Sequence, residues 1–88
     1  MPYIKQEDRD KFYWVTPNPL QNVAENCENA GDLNYAITMI LKKYMEKKGE
    51  CYATHNEIIG MLDCCKMEWY RKRVAIYENK KEKENGDV

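Results

Sequence analysis

Apolar positions recur along this chain at helical spacing, in three stretches set apart by Gly and Pro. Leu20, Val23, Ala24 and Cys27 stand at i, i+3, i+4 and i+7, one apolar stripe of a helix. Asn18 suits the N-cap, Pro19 suits the first helical position, where a missing N–H is tolerated, and Gly31 suits a left-handed C-cap, so a helix is predicted over 19–30. The second stripe is Leu33, Ile37, Ile40, Leu41, Tyr44 and Met45. With Asp32 as cap, Lys47 and Lys48 at the negative end of the dipole and Gly49 as terminator, it predicts a helix over 33–48. Thr54 and Glu57 fit a capping box that opens a third helix over 54–79. Its stripes are Ile58, Leu62, Cys65, Trp69 and Ile76, and, displaced around the axis, Met67, Tyr70, Val74 and Tyr77.

The pattern thus predicts an all-α domain over 1–79, a three-helix antiparallel bundle with a long third helix and an extended N-terminal arm over 1–18. In the arm, Pro2-Tyr3-Ile4 reads as extended and Gln6 to Lys11 suits one turn of helix. Phe12-Tyr13-Trp14-Val15 is a dense apolar patch expected to dock on the body or on a neighbouring subunit. Residues 80–88, with no apolar side chain before Val88, read as a disordered charged tail. At ~1.5 Å per residue the third helix runs about 39 Å and the second about 24 Å, so roughly 15 Å overhangs. The overhang carries Trp69, Val74, Ile76 and Tyr77, too apolar to leave wet: either the N-terminal arm folds back over them or a second subunit covers them, and the expectation is a homo-oligomer with these four residues at its interface.

Composition narrows the classes. Fourteen Lys+Arg against fifteen Asp+Glu in 88 residues leave a net charge of -1, which provides no global field for extended nucleic acid or an anionic membrane. No apolar run approaches the ~20 residues that span a bilayer, and the opening residues lack the pattern of a signal peptide, so a cytoplasmic location is expected. Cys27, Cys51, Cys64 and Cys65 then read as reduced thiols. Without Cys-x-x-Cys spacing, and with one histidine, no metal site and no cofactor are expected.

Candidate chemistry points to binding. The single histidine, His55, has no nucleophile motif around it, and no phosphate-loop, dinucleotide or metalloprotease fingerprint is present, so the chain is not expected to be an enzyme. Lys66, Tyr70, Arg73 and Tyr77 follow i, i+4, i+7 and i+11, and Arg71 and Lys72 flank them. Guanidinium groups match phosphate and aromatic rings stack on bases, so this face suits an anionic nucleotide; a solvated basic face with snorkelling stems is the other reading. A second polar cluster gathers at the helix starts. Asn34, Tyr35 and Thr38 belong to the second helix, and Tyr52, His55 and Asn56 to the third, where either capping or an anion pocket accounts for them.

The chain also resembles a family of small uncharacterised proteins found in bacterial and phage genomes. The resemblance is carried by Met1-Pro-Tyr-Ile-Lys-Gln-Glu-Asp-Arg9, Gly31-Asp-Leu-Asn-Tyr-Ala-Ile-Thr38, Tyr52-Ala53, Asn56-Glu-Ile-Ile-Gly60 and Glu84-Asn-Gly-Asp-Val88. The sequence departs where Ile76 stands before Tyr77, a place of Ala-Pro-Tyr in the family, which puts the helix end there in question. The resemblance implies a genomic setting and no catalytic residues. In that setting the expectation is an accessory or counter-defence protein that sequesters a phosphate-bearing small molecule such as a signalling nucleotide, in the host cytoplasm if phage-encoded. The alternatives are an adaptor or inhibitor that binds a host or phage protein through apolar surface, and a structural helical oligomer without ligand.

Overall fold

The computed structural model describes residues 4–12 and 19–86, and these are all-α. Helix α1 (Gln6–Arg9) runs into a 3-10 turn at Asp10–Phe12 and is pinned by the Arg9 Nε–H donating to the Ile4 carbonyl at 2.8 Å. The predicted docking patch at Tyr13, Trp14 and Val15 lies outside the described residues, as does the predicted cap Asn18.

Helix α2 (Pro19–Asn26) starts on its proline as expected but ends before residue 30. The reason lies in the start of α3 (Ala30–Lys48). Asn29, in extended conformation, is the N-cap, and its side chain accepts from the Asp32 N–H at 2.8 Å. Asp32 in turn accepts from the Glu28 N–H at 3.0 Å. Asp32 is therefore the third helical residue and closes the cap from inside, and the predicted cap at Asp32 is corrected by three positions. Gly31 is not a left-handed terminator either. It lies in the first turn, where an added Cβ would stand 3.2 Å from Asn29 Oδ1, so its use is room for the capping side chain.

Gly49 ends α3 as expected, at φ +86° with its N–H on the Met45 carbonyl at 2.8 Å. Helix α4 (Tyr52–Trp69) then begins two residues earlier than the predicted capping box. Thr54 sits inside the first turn instead of capping it, and its hydroxyl donates back to the Gly49 carbonyl at 3.1 Å. A π-helical turn at Tyr70–Val74 follows, and α5 (Ala75–Asn85) completes one long C-terminal helical run. That run passes through much of the expected tail. The Lys81–Glu84 pair at 3.2 Å supports it, and Gly86 at φ +81° closes it.

The chain divides into two compact units, one holding 4–12 and 19–55 and the other 56–86. In the first, α2 and α3 bound an open groove of about 660 Å³. Its α3 side is Asp32, Tyr35, Ala36, Met39, Ile40 and Lys43, a helical face that shares only Ile40 with the predicted core stripe; Val23 on α2 and Cys27 just beyond its end line the other side. In the second, Ile58, Leu62, Val74 and Ala75 are half-buried. Among the described residues no apolar side chain is fully buried, and the packed core of the expected bundle is not shown. Leu33 at 52%, Ile40 at 55% and Ile76 at 62% exposure are long aliphatic groups left in water.

Candidate functional site

The basic and aromatic concentration in the sequence coincides with the π-helical turn. Trp69, before it, and Val74 and Ala75, at its end, keep ordinary α dihedrals. The Ala75 N–H nevertheless reaches back five residues to the Tyr70 carbonyl. A turn closed this way holds one residue more than an α turn, so every later side chain is set back by about 100°. In an unbroken helix, residues eight apart stand about 80° from each other; across this turn they differ by only about 20°.

The side chains follow that register. Arg73 lies over the Trp69 ring, 5.8 Å from its centroid, and Lys81 lies over the Tyr77 ring at 5.6 Å. With Trp69 and Tyr77 eight apart, the four side chains make a ladder of ring, cation, ring, cation along one face. Tyr70 and Glu78 are also eight apart, and the phenol donates to the Glu78 carboxylate. That contact, between different residues, marks the same register.

The predicted faces are redrawn accordingly. Tyr70 does not share a face with Arg73 and Tyr77; it turns to Glu78. By the geometry of the π-helical turn, Trp69 aligns with Tyr77 and not with Ile76, seven residues on. Arg71 is held by both oxygens of Glu68, at 3.1 and 3.0 Å. Lys66 is exposed in the last turn of α4. Of the expected oligomer interface, Trp69, Ile76 and Tyr77 are exposed and Val74 is half-buried.

The helix-start residues divide among separate contacts. Thr38 Oγ1 lies 3.4 Å from Asn34 Oδ1, whereas Tyr35 lines the groove against α2. His55 Nε2 meets Glu50 Oε2 at 3.0 Å, and Tyr52 and Asn56 are exposed on α4. Sequence reading missed Glu78 and Lys81. The i,i+4 pairs Trp69/Arg73 and Tyr77/Lys81 were visible signals for two rungs of the ladder, but their alignment depends on the inserted residue.

The hydrogen bond to Glu78, then the charge of that carboxylate, then slight desolvation, raise the Tyr70 phenol above its ordinary value of 10.0. A folded-state pKa above the unfolded one means stability that is complete below pH about 10 and lost as pH rises through the folded value. Glu78→Gln removes the charge, so the phenol should titrate closer to its ordinary value. Ultraviolet absorbance of wild type against variant, with Tyr70→Phe identifying the transition, checks this.

No helix of the described residues is long and apolar enough to cross a membrane. Comparison with curated proteins and with solved structures yields no match. A family described as a domain of unknown function, DUF6899, matches residues 1–88, and the chain belongs to that family.

Proposed function

We propose that this protein is a stoichiometric binding module without catalytic activity, whose exposed apolar helix faces complete their core against another polypeptide. The observation that carries this reading is the burial pattern. Large aliphatic and aromatic side chains recur on α3, α4 and α5, yet none is fully buried among the described residues. Apolar surface contributes stability at about 25 cal/mol per Å² removed from water, and a chain this small has little else to draw on. The bundle expected from the sequence is then completed on association. An accessory or counter-defence role in the cytoplasm, by occupying a protein surface, fits the resemblance to small proteins of bacterial and phage genomes.

Sequestration of a phosphate-bearing small molecule is the second reading, favoured by the cations of Arg73 and Lys81 beside their rings. The Glu78 carboxylate on Tyr70 and the Glu68 carboxylate on Arg71 oppose an anion at those two residues. That contrast supports protein binding as the first reading.

Thermal unfolding followed by circular dichroism over a hundredfold range of concentration tests the proposal. Association stabilises by mass action, so the midpoint should rise with concentration, or the isolated chain should melt without cooperativity until its partner is added. A sharp, concentration-independent transition of a monomer would show a self-sufficient core and defeat the reading.

A further inference from the structure

We infer that one occupant of these exposed surfaces is a second copy of this chain, docked antiparallel on the Trp69–Arg73–Tyr77–Lys81 face in a register that the π-helical turn creates. The inference rests on the binding-module reading and adds to it the partner, the symmetry and the contacts. Its basis is self-complementarity. A two-fold dimer pairs each position with its mirror along the seam, so a face can serve both sides only if its chemistry, read backwards, complements itself. Here the order is aromatic, cation, aromatic, cation, at intervals of four residues.

Turned about an axis level with Ala75, the face sets Trp69 opposite Lys81 of the second copy and Arg73 opposite its Tyr77. Every ring meets a cation, and no cation stands directly opposite another. The ring geometry allows it. Arg73 and Lys81 each cover one face of a ring within the chain, while Trp69 and Tyr77 remain 63% and 59% exposed. A ring can take a cation on each face, and desolvating the pair strengthens the attraction. A parallel pairing would oppose ring to ring and cation to cation and loses this match. Ile76, beside the seam, supplies apolar area. Lys81 also pairs with Glu84, so part of its charge is offset at the edge of the contact.

Sedimentation equilibrium of the full chain tests the register. The unaltered protein should dimerise at tens of micromolar. Trp69→Lys sets lysine against lysine twice per dimer and should weaken association by about tenfold or more. Adding Lys81→Trp to it exchanges the outer pair, restores ring against cation under antiparallel symmetry and should recover association to within about threefold. Where circular dichroism shows that Trp69→Lys has lost helicity, Arg73→Tyr with Tyr77→Arg exchanges the inner pair and should dimerise as the parent does. A wild-type monomer at about 100 μM, a Trp69→Lys protein that associates as wild type, or exchanges that fail to restore dimerisation would overturn the inference. A monomer that still lacks cooperative unfolding would end the dimer and leave the binding-module reading standing; a monomer with a sharp transition would end both.

Discussion

Insertion of one alanine between Lys72 and Arg73 should break the Tyr70–Glu78 hydrogen bond and abolish self-association, whereas deletion of Lys72 should preserve both. The asymmetry follows from what a π-helical turn is. It absorbs one surplus residue, so Trp69 and Tyr77 align at a separation of eight where an α-helix aligns residues at seven. Deleting a residue from the turn leaves a regular helix with Trp69 and Tyr77 seven apart, still about 20° from alignment. Inserting one rotates everything beyond by about 100° and moves Tyr77, Glu78 and Lys81 off their faces. Two readouts separate the outcomes. The Tyr70 titration should fall back toward 10.0 in the insertion variant and stay raised in the deletion variant. Sedimentation should show a monomer in the first and a dimer in the second. Equal behaviour of the two variants would mean that the register across the turn does not matter. Helicity should change little in either case, because the flanking residues already hold α dihedrals.

The second large effect is expected where α3 gives way to α4. Thr54→Val should increase local opening of this turn by about two- to tenfold, corresponding to roughly 0.5–1.5 kcal/mol for one lost hydrogen bond whose acceptor, on exposed Gly49, water can reach. Thr54 is 5% exposed, and its hydroxyl donates to the Gly49 carbonyl at 3.1 Å and lies 3.3 Å from Cys51 Sγ. The contact ties the glycine that terminates α3 to the first turn of α4. Valine keeps the shape and removes the donor. Amide hydrogen exchange at Gly49, bonded to the Met45 carbonyl, and at His55, bonded to the Cys51 carbonyl, should accelerate together. Thr54→Ser retains the donor and should show a much smaller change. Unchanged exchange in the valine variant would show that the backbone alone holds this turn.

Local chemistry made much of the architecture legible. Pro19 at a helix start and Gly49 at a helix end act through backbone restrictions that operate within one turn, and both stand where expected. Where two local signals compete, neither fixes the helix start on its own. Asp32 and Thr54 both suit an N-cap, yet Asn29 and the residues before Tyr52 begin the helices, which leaves each of them inside a first turn, bonding backward. A cap is chosen by the whole turn it closes, and a preference scored residue by residue does not register that choice.

For the candidate site the order of residues already carries the inventory: rings at Trp69, Tyr70 and Tyr77, cations at Arg71, Arg73 and Lys81, carboxylates at Glu68 and Glu78. Their i,i+4 neighbours were also determined, because that spacing belongs to any α-helix. Which rungs join into one face was decided only in three dimensions. A uniform period of 3.6 residues aligns positions seven apart, whereas the turn closed by the Ala75 N–H on the Tyr70 carbonyl holds one residue more. That bond carries no signature in the pattern of apolar positions, because a surplus residue looks like any other until the chain beyond it rotates. The rotation puts Trp69 with Tyr77, gives Tyr70 to Glu78, and so sets the chemistry that the exposed face presents.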